Sequence, residues 1–410
     1  MTTTTASSSA SSASLADNLS DPTRPTFLLG DVPPREGTPP GKCLSICQKF
    51  MTRSRTLACD GFIVYDIQDE PGRATSGIER PFPFRQLMDS SEYAALLSRS
   101  SGKPCVVYKC IADAKFEEWI DRASTEHGHS AINLVGRPSA SQSYEGPTMA
   151  EAMQIASTKE QRTKFGCVCI AERHTMEAAA ARGKKYPTEH LNMLKKQKAG
   201  ARWFVSQAVY DAEPTIRLLT DYAAECRKAG LAPRKVLLTF CPVSRPKTMQ
   251  FVKWLGVRVP DETETNILQS DKPVDSSIDV LCTLLRTILQ ETSGIGVPLG
   301  ISCESVSIYK AEIDGVHELF RRLQSILLDA RGSPWKVHWV EILGPPGVVV
   351  AGSSAVDGAS NTVKDGDHNS KESLSLFKAA LAGAVVGTMI LTQGIFMGMM
   401  LANIKRPPRR

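Results

Sequence analysis

Charged and amide side chains stand at the ends of short apolar runs at eight places along this 410-residue chain. Asp31 follows the first run, Asp66, Gln68, Asp69 and Glu70 the second; Lys109 closes the third and Arg137 follows the fourth. Glu172, Arg173 and His174 follow the fifth, Gln207 closes the sixth, Ser244 and Arg245 follow the seventh, and Glu304 and Lys310 the eighth. Carboxylates crowded on one surface raise one another's pKa and can hold a proton for transfer. Arginine and lysine pair with phosphate or carboxylate, and a glutamine amide both donates and accepts. A single charged residue in such a place is ordinarily a solvated loop residue, so a site requires that these side chains converge.

Convergence depends on the elements that carry them. The apolar runs cover residues 26–29, 61–65, 105–110, 131–135, 165–170, 203–207, 235–240 and 299–302, bounded by Gly, Pro or Asp. Helix-patterned segments fall between or after them, at 92–99, 115–125, 149–158, 188–198, 214–229, 248–255, 277–291 and 313–328. Strands alternating with helices form a parallel sheet, because a parallel return needs a crossover. Eight units in about 300 residues fit an α/β (β/α)8 TIM barrel better than an open doubly wound sheet, and in a barrel the strand ends share one rim.

Several other chemistries are excluded. Gly37 and Gly41-Lys42 are spaced one residue too closely for a phosphate loop, and Cys43 stands where a magnesium-binding hydroxyl belongs. No G-x-G-x-x-G follows a strand. The eleven cysteines are odd in number and scattered, with Cys105, Cys110, Cys167 and Cys169 inside apolar strands, so they read as buried free thiols in a reducing compartment rather than a disulfide or metal framework. His127 and His129 read as surface residues, and no histidine spacing marks a metal site. The net charge of +6 includes Lys405, Arg406, Arg409 and Arg410, which leaves +2 for residues 1–404 and no footprint for nucleic acid.

The ends differ from the body. Residues 1–25 are dominated by Ser and Thr and are expected to lack structure; a mitochondrial presequence would need arginines, and the first is Arg24. A barrel domain over 26–343 is followed by a Gly-, Ser- and Asp-rich linker at 344–373. Residues 379–404 carry no charge and as a helix would extend about 39 Å, more than the roughly 30 Å hydrocarbon layer. A transmembrane helix with its flank is therefore expected at 374–404, with a basic tail at 405–410. Gly383 with Gly387 and Gly394 with Gly398 form GxxxG pairs compatible with a homodimer, although glycine frequency in membrane helices explains them as well. Expected topology is tail-anchored, with the barrel in the cytosol on the mitochondrial outer membrane, the peroxisome or the endoplasmic reticulum.

One stretch carries a family resemblance. Leu191-Asn192-Met193-Leu194-Lys195-Lys196-Gln197-Lys198-Ala199-Gly200-Ala201, then Phe204-Val205-Ser206-Gln207 and Tyr210-Asp211, resembles the methylenetetrahydrofolate reductases. Pro242-Val243-Ser244, Val257-Arg258-Val259-Pro260, Tyr309-Lys310-Ala311-Glu312 and the pair Pro33-Pro34 extend the likeness, which covers about residues 26–330 and is strongest over 188–312. It implies a barrel that reduces 5,10-methylenetetrahydrofolate with NADH or NADPH. The family's glutamate three residues before the proline pair is replaced by Gly30, with Asp31 one place later. Leu134-Val135-Gly136-Arg137 and Ala171-Glu172-Arg173-His174 replace two flavin-side motifs. These departures resemble a branch that works without bound FAD.

Such a reduction needs an acid to open the ring to an iminium, a pterin anchor and a hydride donor in line. The resemblance implies a substrate contact at Gln207, with Lys310 at the family's arginine position able to pair with a folate carboxylate; Ser244 and Gln68 are further substrate-contact candidates, and Arg137, Arg173 and His174 are candidates on the cofactor side, where Arg137 or Arg173 could neutralise nucleotide phosphate or a folate glutamate. For the acid the candidates are Glu172 or Asp31, then Glu304. A non-catalytic folate- or nucleotide-binding barrel, or a membrane scaffold, are the competing readings.

Overall fold

The computed structural model describes residues 14–69, 77–137, 143–159 and 161–332. The linker, membrane segment and basic tail expected beyond 343 lie outside these residues. Among the described residues no helix is long and apolar enough to cross a membrane.

Eight parallel strands close into a barrel in chain order. They are β1 (Phe27–Asp31), β2 (Gly61–Val64), β3 (Cys105–Cys110), β4 (Ala131–Val135), β5 (Lys164–Cys169), β6 (Trp203–Ala208), β7 (Lys235–Phe240) and β8 (Leu299–Cys303). Every expected strand is present, displaced by at most two residues at an end. Near-continuous apolar strands suit a parallel sheet buried on both faces. Closure joins β8 to β1, with Leu28 opposite Ser302 and Leu29 opposite Cys303. One step further along this ladder stand Gly30 and Glu304.

The outer layer runs α2 (Pro40–Ser54), α3 (Ser90–Ser101), α4 (Phe116–Thr125), α5 (Met149–Ser157), α6 (Met176–Ala180), α7 (Glu189–Lys198), α8 (Ala212–Lys228), α9 (Pro246–Trp254), α10 (Asp261–Leu268), α11 (Pro273–Glu291) and α12 (Lys310–Gly332). Caps fix several starts. Asp89 accepts from Ser91 and Glu92 N–H ahead of α3, and Thr148 with Glu151 forms a capping box on α5.

Residues 1–25 were expected to lack structure, yet a first helix, α1 (Leu15–Ser20), forms there. Ser14 and Asp17 make its capping box, and Leu15, Ala16 and Leu19 are buried. It covers the N-terminal end of the barrel, where the buried Lys235 ammonium donates to the Asn18 carbonyl and, at 2.9 Å, to Thr26 Oγ1. Composition missed this helix because the burial that orders it comes from the barrel floor, not from its neighbours in sequence. His129, expected at the surface, is buried with Nε2 3.0 Å from the Ser91 carbonyl. All eleven cysteines are free and buried, as expected.

At the opposite face two connections that are not neighbours in the ring meet. Phe82, in the segment after β2, packs edge-on against Phe251 of α9 at 5.6 Å. Arg80 lies 4.7 Å over Trp254, and Gln250 donates to the Glu79 carbonyl. Together they form a cover that spans the C-terminal ends of strands.

Candidate active site

The ladder that brings Gly30 beside Glu304 decides what the barrel mouth contains. With no side chain on Gly30, the Glu304 carboxylate leans over β1 and accepts a hydrogen bond from the Tyr65 hydroxyl. A Cβ on residue 30 would lie 2.8 Å from Glu304 Cβ and 3.0 Å from Tyr65 Cε2, closer than such atoms approach. Tyr65 in turn meets Tyr108 edge-on at 4.8 Å. Glu304 is 2% exposed, and its second oxygen, Oε1, has no hydrogen-bond partner. Burial pushes its pKa well above the ordinary carboxyl value, against the opposing effect of the Tyr65 hydroxyl. Burial thus favours the protonated carboxyl, and one of its oxygens is uncommitted.

A cavity of about 380 Å³ opens from this point between β1, β8, α2 and α12. Gly30, Asp31, Tyr65 and Glu304 line its inner end. Its walls are apolar, with Phe50 and Ile308 among them, and the exposed cations Lys49, Arg53 and Arg35 stand on it further out. Asp31 faces the helices, where the Tyr93 hydroxyl donates to Oδ2 at 2.7 Å, and burial lifts its pKa to about 6. Two carboxyls with raised pKa thus share one apolar cleft whose outer part is cationic. Such a cleft suits a flat heteroaromatic ring with an anionic tail, with protons available at the ring end.

The structure separates the other expected site residues from this cleft. Glu172 lies after β5, across the ring from β1, and its neighbours are Asp211 and the Arg258 backbone. Burial raises its pKa to about 7, with Asp211 adding to the shift. Gln207 is buried, and its amide donates to the Leu255 carbonyl at 2.7 Å, so the expected pterin anchor is engaged in holding the segment after α9. Ser244 donates through N–H and Oγ, both at 2.8 Å, to Glu312, a fully buried carboxylate that also accepts from Thr248. That makes Ser244 part of a clasp between the β7 loop and α12. Lys310 is 81% exposed and pairs with Asp314 one turn along α12. Gln68 donates to Asp66 at 2.7 Å.

The cations expected to hold a nucleotide do not form one cluster. Arg137 donates to the Gly146 carbonyl at 2.6 Å. His174 is turned by a 3-10 turn, Ala171–His174, toward α8, where its Nε2 lies 2.8 Å from Asp221 Oδ2. Only Arg173 lines a second cavity, about 380 Å³, with Lys195, Lys196 and Asn192 between α5 and α7.

Sequence reasoning overlooked Tyr65, Tyr93, Lys49 and Arg53. Lys49 and Arg53 had a signal, being four residues apart in a segment whose apolar positions Cys43, Ile46, Cys47 and Phe50 follow a helical period. Tyr65 had none, because its partner is reached only by closing the barrel.

No protein-family model matches the chain, and no curated protein matches it in sequence. Among solved structures it resembles an uncharacterized protein from Clostridium thermocellum that binds two copies of 5-methyl-5,6,7,8-tetrahydrofolic acid. That likeness has 24% identity and a TM-score of 0.61, over 74% of this chain and 96% of that one. Dihydropteroate synthase from Thermus thermophilus in complex with 4-aminobenzoate is 10% identical with a TM-score of 0.38, over 74% and 95% of the two chains, too distant to carry an argument. The described residues thus form a closed (β/α)8 barrel with the buried carboxyl of Glu304 and the partly exposed one of Asp31 at its strand ends.

Proposed function

We propose that this protein binds a reduced folate in the cleft between β1, β8, α2 and α12, and that it reduces 5,10-methylenetetrahydrofolate with NADH or NADPH. The observation that carries the reading is Glu304: a buried, proton-holding carboxyl with a free oxygen, at the strand-end rim where the resemblance calls for an acid. The family's glutamate position is Gly30, and Glu304 fills the same space from the adjacent strand. The folate ligand of the Clostridium thermocellum barrel gives independent support for the substrate class.

In this reading Glu304 gives its proton from Oε1 to the folate nitrogen as the bridging C–N bond opens, while Tyr65 holds Oε2 in place. A reduced nicotinamide, when bound, would supply the hydride for the iminium carbon, which balances the reaction as methyl product and oxidised nucleotide. Lys49 and Arg53 pair with the carboxylates of the folate tail. A second reading, a folate-binding barrel without turnover, is favoured by the commitment of Gln207 to Leu255 and of Arg137 to Gly146. We further propose that residues 374–404 tether the barrel to a mitochondrial outer, peroxisomal or endoplasmic reticulum membrane.

The test uses the full-length protein in detergent. Nicotinamide oxidation is followed with methylenetetrahydrofolate and NADH or NADPH, with and without added FAD, alongside calorimetric titration with 5-methyltetrahydrofolate. Turnover without flavin supports the reductase. Binding without turnover under any condition selects the second reading, and neither binding nor turnover removes both. Recovery of the protein in the soluble fraction after carbonate extraction of membranes would remove the tether.

A further inference from the structure

Away from the cleft, three side chains converge that the folate reading does not use. His174 comes from the 3-10 turn after β5, His190 from the first turn of α7 and Asp221 from the middle of α8. One donor atom from each lies within 4.8 Å of the other two. His174 Nε2 is 2.8 Å from Asp221 Oδ2, and the two imidazole rings meet edge-on with centroids 4.8 Å apart. His174 is fully buried, and the Nδ1 atoms of both histidines are buried without a hydrogen-bond partner.

This is an unusual use of imidazole for packing alone. A core histidine ordinarily satisfies both ring nitrogens, and pairing two imidazoles leaves buried polar atoms unmet. Two imidazoles and one carboxylate on three separate elements form instead the donor set preferred by a borderline divalent cation. Donors around tetrahedral zinc stand about 3.4 Å apart, given bonds of about 2.0 to 2.1 Å. The present separations bracket that value, from 2.8 Å between His174 Nε2 and Asp221 Oδ2 to within 4.8 Å across the set, and His190 and Asp221 are both partly exposed, which leaves their side chains room to adjust against the buried ring of His174.

We propose that His174, His190 and Asp221 form a binding site for zinc or a similar divalent cation, with the remaining position open to water. Glu225, one turn beyond Asp221 on α8 and close enough to act on the charge of His190, is the nearest further oxygen donor, although it now pairs with Lys228 at 2.7 Å. A cation there would fasten the turn that carries Glu172 and Arg173 to both α7 and α8. The three ligands are sixteen and thirty-one residues apart, outside any local metal-ligand spacing, so sequence alone gives no sign of them.

Titration of untagged, chelator-stripped full-length protein with Co2+ tests the site. We expect one equivalent bound per chain, ligand-field bands of a low-coordinate nitrogen-oxygen site, no thiolate charge-transfer band, and competition by Zn2+ with a rise in thermal midpoint. Asp221→Asn, a nearly isosteric change at a half-exposed residue, should weaken binding at least 10-fold, and His190→Ala should abolish it. Both variants should keep the wild-type circular dichroism spectrum. Lack of stoichiometric binding by the wild type, equal binding by both variants, or a thiolate band from the buried cysteines would each overturn the proposal.

Discussion

Glu304 occupies the space that a side chain on Gly30 would need. The two residues stand one step past the last paired residues of the β8–β1 closure, and the absent Cβ is what lets the carboxyl lie over β1 against Tyr65. An acid at the barrel mouth can be delivered by either of two adjacent strands but not by both, since their side chains compete for one volume. The absence of a glutamate at position 30 and the presence of one at 304 are then a single fact.

That exclusion predicts a coupling. Gly30→Ala introduces one methyl against Glu304 Cβ at 2.8 Å and Tyr65 Cε2 at 3.0 Å, both on buried, packed side chains. Overpacking of this kind costs about 1–3 kcal/mol. Glu304→Gly removes that Cβ together with the carboxyl and leaves only the Tyr65 contact, so the double variant should recover part of the loss, a non-additivity of about 1 kcal/mol or more in urea unfolding. Strictly additive effects would mean that the two residues do not share the space.

Glu304→Gln keeps the shape and a donor but has no proton to transfer. If the protein carries out the proposed reduction, kcat for nicotinamide oxidation should fall by about 10²–10⁴ with 5-methyltetrahydrofolate binding little changed. Tyr65→Phe should have a smaller effect in the same direction. The pH profile has a required sign. The acid works while protonated, and its pKa lies well above the ordinary carboxyl value, so kcat should be level in mild acid and decline only as pH rises through the elevated pKa. A rate that instead rises with pH would assign Glu304 as a base.

Asp31 carries a stability signature. Its pKa in the folded protein, about 6, exceeds the unfolded value near 4, so the folded state holds the proton more tightly. Its contribution is therefore greatest below the unfolded value and is lost as pH rises through about 6. Asp31→Asn retains an acceptor for Tyr93 and removes the partly buried charge. Because the residue is partly exposed, the gain should be modest: on the order of 1 kcal/mol at neutral pH and close to zero near pH 4, by urea unfolding at the two pH values. Equal changes at both would place Asp31 in water.

The barrel was legible in the chain because each strand is a short apolar run punctuated by Gly, Pro or Asp, and eight of them leave few alternatives. What stayed hidden depends on contacts distant in sequence. The Leu15–Ser20 helix is ordered by the barrel floor, and α2 (Pro40–Ser54), with Pro40 as its first residue, falls where no helix was expected. Residues near the ends of strands could be listed, but their directions could not. Asp31 and Glu304 meet one cleft, whereas Gln207 and Ser244 turn to backbone and buried partners, because neighbouring strand residues face opposite ways and the loops after β6 and β7 fold back on α9 and α12.

The cationic outer part of the cleft separates recognition from chemistry. Lys49 and Arg53 lie one turn apart on α2, exposed, some way from the proton-holding end of the cavity. If they pair with the anionic tail of the ligand, Lys49→Ala and Arg53→Ala should each weaken 5-methyltetrahydrofolate binding about 3- to 10-fold at low ionic strength, in the range of an exposed charge pair. The loss should shrink as salt screens the interaction, and kcat at saturation should be unchanged, because neither side chain reaches the ring end. A tail-less pterin should bind wild type and variants alike. Were that small ligand to lose affinity as well, the cations would be acting on the ring end of the cleft, and the assignment of its two ends would have to be reversed.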